Sequence, residues 1–263
     1  MPKTALITGA SKGIGKALTK VFAREGYDLV LIARSEDKLK QLAQECQEKY
    51  QNNIHVIVAD LSKPEACANI IKDLTENKIS VDTLVNNAGY GSLAAFADTD
   101  IDVLLGVLKV NMLAVTELTR LLIPHMIEQK FGEIMNIAST AAFLPGPFGA
   151  VYYATKAYVL SLSESLWYEL KDKNIKVTAI CPGPVKTEFF DRAGADKNKI
   201  PSRMVSFMDA DVCAEKAFIA MKKNKRVAIT DIMLKPMAFT ASLIPRALTN
   251  YILTSVHKNA EKK

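Results

Sequence analysis

Hydrophobic positions along the chain alternate between two periods. Short runs that are apolar on both faces read as strands: TALIT (4–8), DLVLIA (28–33), IHVIVAD (54–60), DTLVNNAG (82–89), GEIMNIAS (132–139), IKVTAICPG (175–183) and a short RVAIT (226–230). Between them lie stretches with apolar residues at helical spacing. GKALTKVFAREG (15–26) closes on a glycine, the usual helix stop, and SEDKLKQLAQECQEKY (35–50) opens on Ser35 as a cap. Strands apolar on both faces and joined by helices predict a parallel sheet covered on both sides. Right-handed crossovers make it a doubly wound α/β/α sandwich of about seven strands, with ligands at the carboxyl ends of the strands. The strand–helix rhythm stops near residue 231. That marks 1–230 as one domain and 231–263 as an extension that packs on the body or on a sister subunit.

Composition narrows the function classes. The 263 residues are 49% hydrophobic, enough for a full core, and the 24% charged residues are spread rather than blocked, as in a globular chain. A net charge of +6 is compatible with an anionic cofactor, an acidic membrane surface or nucleic acid. The clearest basic cluster, KKNKR at 222–226, has no aromatic residue to stack on bases and reads as a solvated helix end, so no nucleic-acid partner is expected. The four cysteines form no C-x-x-C pair and the three histidines are scattered, which favours reduced thiols in a cytoplasmic setting and no metal site. The first apolar run, ALI (5–7), is too short for a signal peptide, and no apolar stretch is long enough to span a bilayer.

The loop TGASKGIG (8–15) follows a strand and opens a helix. Gly9, Gly13 and Gly15, with Ser11, Lys12 and Ile14 between them, suit a tight turn, close approach to a pyrophosphate and a helix N-terminus aimed at the anion. At the end of the second strand, where an NAD site carries an acidic residue for the ribose, stand Ala33 and Arg34. The guanidinium offers a planar fork to a 2′-phosphate and Lys12 a second cation, so NADP(H) is the expected cofactor. Farther on, AVYYATKAYVLSL (150–162) crowds tyrosines around Lys156. On a helix both Tyr152 and Tyr153 can approach that lysine, whereas Tyr158 points elsewhere. Tyr153 also shares an apolar stripe with Ala157 and Leu160.

With TGASKGIG, NNAG (86–89), Asn111, Ser139 and YYATK in this order, the chain resembles the short-chain dehydrogenase/reductase family over roughly residues 3–230. The resemblance implies a Rossmann-like fold, and its Y-x-x-x-K pattern selects Tyr152 as acid/base. Ser139 would then bond the substrate oxygen, Lys156 the nicotinamide ribose, and Asn111 would hold a water leading from the lysine to solvent. Asp60 would meet the adenine amino group, and Asn87, Ala88 and Gly89 would form the turn beside the adenosine ribose. Pro182, Gly183, Val185 and Thr187 would hold the carboxamide, although strand-end and capping duty serves Asp60 and Thr187 as well. A dimer or tetramer through the helices carrying Asn111 and Tyr152 is implied too. The chemistry requires such a cluster, because a free phenol titrates near 10. Lowering it to ~7 or 8 takes roughly 3 to 4 kcal/mol from nearby cations.

Phe143, Leu144, Phe148, Phe189, Phe190, Met204 and Met208 make the expected pocket wall apolar, with 188–208 as a lid. A hydrophobic or long-chain carbonyl substrate and ordinary lid packing account for these residues equally well. The Tyr-flanking sequence GPFGAVYYATKAY departs from acyl-carrier-protein reductases and disfavours, without removing, a 3-oxoacyl thioester. The basic-ended tail (233–263) packs on its own or a sister subunit, or lies on a membrane surface, the less favoured reading. A non-catalytic dinucleotide sensor is the rival to an NADP-dependent oxidoreductase. It would have no reason to keep Ser139, Tyr152 and Lys156 together.

Overall fold

The seven anticipated strands form one parallel sheet in the computed structural model, which describes residues 2–193, 207–240 and 254. In chain order the strands are β1 (Thr4–Thr8), β2 (Asp28–Ala33), β3 (Ile54–Val58), β4 (Thr83–Asn86), β5 (Gly132–Ile137), β6 (Ile175–Cys181), β7 (Val185–Lys186), β8 (Met208–Asp209) and β9 (Val227–Ile229). The sheet runs β3-β2-β1-β4-β5-β6-β9, and β7 pairs with β8 in a separate ribbon that the hydrophobic pattern did not predict. The chain winds outward from β1 to β3 and then returns to place β4 on the other side of β1. The crevice created by that reversal opens at the carboxyl ends of β1 and β4.

Each strand is apolar on both faces because each face is covered. Ala5, Ile7, Leu29, Leu31, Val85 and Met135 pack with α1 (Gly13–Arg24), α2 (Glu36–Tyr50) and α8 (Ala210–Lys222). The alternate residues Leu6, Val30, Ile32, Leu84 and Ile134 pack with α3 (Ala66–Glu76), α5 (Ala114–Glu128) and the end of α6 (Ala150–Leu170). A period of two on a strand produces this split. Three helices complete the described set: α4 (Ile101–Leu108), α7 (Phe189–Arg192) and α9 (Lys235–Thr240). α4 runs into α5 through a π-helical turn, Lys109–Leu113, which the sequence pattern does not announce. Among the described residues no helix is long and apolar enough to cross a membrane.

Several expectations are corrected here. The cap role expected of Ser35 is positional only: it precedes α2, but its side chain makes no capping bond. At the ends of the expected lid range, Phe189–Arg192 is helical and Met208 pairs with Val185 in a strand. Residues 194–206, Met204 among them, lie outside the described residues, as does the tail at 241–253 and 255–263. The described start of the extension turns back on the body: Leu234 sits where a side chain on Gly183 would be, 2.6 Å from that Cβ position.

The basic cluster at 222–226 is not merely a solvated helix end. Lys222 donates to both carboxylate oxygens of Glu133, at 3.3 and 3.4 Å, and to the Tyr27 hydroxyl at 3.0 Å. Arg226 pairs with Glu164 at 3.1 Å. Glu133 is fully buried in β5, also accepts from Tyr27 and Thr83, and has Lys176 at 3.6 Å. A carboxylate removed from water needs such partners. Lys222→Met should therefore destabilise the protein by about 2 to 3 kcal/mol, less than full loss of a buried pair because Lys176 remains. Urea unfolding measures it, and an unchanged midpoint would show that Glu133 does not depend on Lys222.

Candidate active site

The site is assembled at the carboxyl end of the sheet, beginning with the turn after β1. Gly13 has φ +50°, a backbone conformation a side chain resists, and its Cβ position lies 2.9 Å from the Thr187 methyl. At Gly15 a Cβ would stand 2.2 Å from the Gly9 carbonyl oxygen and 2.4 Å from Asn87 Nδ2. Side-chain-free turning thus lets α1 start directly against β1 and the end of β4. Lys12, at the N-cap of α1, supplies no side-chain acceptor to the first turn, and no acidic residue lies in that turn. The turn's N–H groups and the positive end of α1 therefore suit an anion. Ser11, Lys12, Gly13, Lys16, Lys38, Gln41 and Glu188 line a cavity of about 240 Å³ at this point. Three lysines against one glutamate fit the phosphates of a dinucleotide. The sequence reading found Lys12 and missed Lys16 and Lys38, whose only signal was their charge on neighbouring helix starts. Ile14 packs into the core beneath the loop.

The turn after β4 is tied to that loop. Thr8 Oγ1 accepts from the backbone N–H of Asn87 and of Ala88, both at 3.0 Å, and Asn87 Nδ2 donates to the Thr8 carbonyl at 2.8 Å. Asn87 therefore locks the glycine turn to β4 with its side chain. Beyond β2 and β3, Arg34 stands 4.0 Å from Asp60 and is mostly exposed. Burial pushes the Asp60 carboxyl up, but the Ser62 N–H and hydroxyl, with Arg34, leave it below its ordinary value. Lys12, expected to add a second cation, forms an ion pair with Glu188.

The residues of the Y-x-x-x-K pattern meet where β5, α6 and the turn after β4 converge. Ser139 lies two residues past β5 and its Oγ accepts from Ala141 N at 3.1 Å, which starts a short 3-10 turn. Burial pushes the Tyr152 phenol up to about 12, and the neighbouring Ser139 hydroxyl works in the opposite direction. Lys156 is 6% exposed, burial brings it down to about 8, and its Nζ donates to the Ile137 carbonyl at 2.7 Å. Its Nζ lies 5.9 Å from the Tyr152 ring centre. Tyr153 turns away from Lys156 and packs on Gly146 and Gly149, while Tyr158 bonds Thr116 Oγ1 at 2.7 Å. Asn111 sits in the π-helical turn. Its Oδ1 accepts from Tyr90 N at 3.1 Å, and its Nδ2 donates to the Tyr90 carbonyl at 2.9 Å and to Thr155 Oγ1 at 3.1 Å. Gly89 leaves a gap bordered by Asn111 Oδ1 and Lys156 Nζ.

The Phe189 ring lies 5.2 Å from that of Tyr152, and Phe190 stacks edge-on between Phe189 and Phe207. Leu144 and Phe148 are half-buried in the turn before α6, Phe148 with φ +63°. Phe143, half-buried, packs with Ala138, Val159 and Leu160. In the segment after β6, the Pro182 carbonyl accepts from Thr140 N at 2.9 Å and Val185 is buried in β7. Thr187 Oγ1 accepts from Phe189 N at 3.2 Å, so its hydroxyl holds the start of α7.

A doubly wound parallel sheet with a glycine turn at its switch point, and a Ser–Tyr–Lys cluster beside that turn, defines a dinucleotide-binding oxidoreductase fold. The family model described as short chain dehydrogenase matches residues 3–198, and the chain belongs to that family. A short-chain dehydrogenase from Sphingobium yanoikuyae, solved in complex with NADPH, is 33% identical, with TM-score 0.83 over 92% of this chain and 93% of that one. A bulky-bulky ketone specific alcohol dehydrogenase from Comamonas testosteroni is 31% identical, with TM-score 0.80 over 95% and 94% of the two chains. A very-long-chain 3-oxoacyl-CoA reductase from Anas platyrhynchos is 38% identical over 188 residues, 70% of this chain and 60% of the relative.

Proposed function

We propose that this protein is an NADP(H)-dependent oxidoreductase that interconverts a hydrophobic ketone and its alcohol, with Tyr152 as the acid/base. The observation that carries the proposal is the Tyr152 phenol beside the Ser139 hydroxyl, with Lys156 one helical turn along α6. A nicotinamide, when held there, would supply a hydride to the carbonyl carbon in the reducing direction. Ser139 and Tyr152 converge on the carbonyl oxygen, and Tyr152 gives it the proton as the alkoxide develops. A phenol pushed up to about 12 is fully protonated at neutral pH, the form a donor needs. Lys156 keeps a positive charge beside the phenol as it becomes a phenolate, which favours that loss. Exposed Gly89 leaves room beside Lys156 Nζ and Asn111 Oδ1, which supports proton exchange of the lysine on that side.

The preference for NADP(H) rests on Arg34, on the lysines around the glycine turn and on the NADPH bound by the Sphingobium relative. Arg34→Glu should lower affinity for NADPH relative to NADH by about ten- to a hundredfold, the worth of a charge-assisted contact. Fluorescence titration with both nucleotides measures it, and an unchanged ratio would show that the end of β2 has been misread. The Phe189–Phe190 wall and the bulky-ketone specificity of the Comamonas relative support a bulky apolar ketone. The similarity to a 3-oxoacyl-CoA reductase favours a second reading, a 3-oxoacyl thioester. Following NADPH consumption against bulky ketones, steroids, small aldehydes and 3-oxoacyl thioesters separates them. Nucleotide binding without turnover on any member would favour the sensor reading. Four buried, unpaired thiols support a reducing compartment such as the cytoplasm. Exposed Leu105, Leu113 and Leu121 on α4, the π-helical turn and α5 support self-association through that side.

A further inference from the structure

The residue that joins the separate parts of this site is one the Y-x-x-x-K pattern passes over. Thr155, fully buried on α6, donates its hydroxyl proton to the Tyr152 carbonyl at 2.7 Å and accepts from Asn111 Nδ2 at 3.1 Å. The direction of the hydroxyl is set, since a carbonyl can only accept and an amide N–H can only donate. The orientation of Asn111 is set by the same logic. Turned over, its oxygen would face the Tyr90 carbonyl and its NH₂ would face the Tyr90 N–H.

We propose that Thr155 is a positioning residue that registers the acid/base Tyr152 against the π-helical turn and the turn after β4. It acts on Tyr152 from two sides. Through the Tyr152 carbonyl it holds the backbone that carries the phenol. Through Asn111 it anchors both backbone groups of Tyr90, and the next residue, Gly91, lies against the ring: a Cβ there would be 3.1 Å from Tyr152 Cδ2. The wide turn at Lys109–Leu113 brings Asn111 into this bridge and is held by it. Without the hydroxyl, a proton of the Asn111 amide, 1% exposed, loses its acceptor and the amide must rotate or take in water. The turn carrying Gly91 then relaxes away from the phenol. An error of about an ångström at the reacting group costs far more rate than stability.

The inference rests on the reading of Tyr152 as acid/base, and the test separates the two. Wild type, Tyr152→Phe, Thr155→Val and Thr155→Ser are compared for kcat, KM, NADPH affinity and unfolding midpoint. Valine keeps the branched shape without the hydroxyl, and serine keeps the hydroxyl without the methyl. Thr155→Val should lower kcat by about ten- to a hundredfold, with KM and NADPH affinity within about threefold of wild type. Thr155→Ser should keep kcat within about threefold. A packing role predicts the reverse order, serine defective and valine near wild type, and that order overturns the proposal, as does equal loss in both. Should the valine protein fail to fold, Thr155→Ala against Thr155→Ser gives the same contrast. Turnover retained by Tyr152→Phe would instead overturn the reading on which the inference stands.

Discussion

Tyr152→Phe should abolish carbonyl turnover, by about a thousandfold or more, while leaving NADPH binding and folding close to wild type. The variant removes one oxygen and leaves the ring, which packs edge-on to Tyr153 at 6.0 Å and against Phe189 at 5.2 Å. Ser139 Oγ keeps its bond from Ala141 N. The lost group is the proton donor, and positioned acid–base groups contribute about 10² to 10⁴ in rate. The phenol stands up near 12 because burial disfavours its anion. A proton transfer from it therefore depends on cationic support that appears during turnover. Wild-type kcat for alcohol oxidation, which needs the phenolate, should rise with pH for the same reason. Rates across pH 6 to 10 in both directions measure this. Oxidation independent of pH in that range would argue against a tyrosine base.

Gly15→Ala should remove nucleotide binding, with an affinity loss above about a hundredfold, and destabilise the fold by about 3 kcal/mol. The added methyl would lie 2.2 Å from the Gly9 carbonyl oxygen and 2.4 Å from Asn87 Nδ2, and neither can retreat cheaply. The first is backbone, and the second is tied to the Thr8 carbonyl at 2.8 Å. The turn must open, separating the start of α1 from β4 and displacing the N–H groups aimed at the phosphates. Gly26→Ala serves as the contrast. Its Cβ meets nothing within 4 Å, so only the strain of φ +79° remains, about 1 to 2 kcal/mol with binding intact. NADPH titration and urea unfolding of both variants measure the difference. Undiminished binding by Gly15→Ala would show that the close approach at this turn is not needed for the nucleotide.

Much of this was legible in the chain because it depends on local order. A strand buried on both faces must be apolar throughout, so the seven runs stood out, and their helical connections imposed a parallel sheet. Element ends were less visible. DTLVNNAG and GEIMNIAS look like strands to their last residues, yet the sheet stops at Asn86 and Ile137. The residues beyond turn aside to meet the glycine loop and Tyr152. The 3.6-residue period likewise reveals α4 and α5 but not the π-helical turn between them. That turn gains its stability from Asn111 bonding Tyr90 and Thr155, partners 21 and 44 residues away.

The order of residues along this chain determines the doubly wound sheet, the glycine turn and a tyrosine one helical turn before a lysine, because each is set by neighbours a few positions apart. By helical spacing alone, Tyr152 and Tyr153 were equal candidates. Tertiary structure gives them different neighbours, setting one beside Ser139 and seating the other on Gly146 and Gly149. The same contacts between distant segments packed Phe143 against Val159 and Leu160, paired Lys12 with Glu188 and drew Lys222 to the buried carboxylate of Glu133. Charge and hydrophobicity belong to a residue wherever it stands. Which charge is neutralised, and which ring faces the substrate, depends on what the fold brings within a few ångströms.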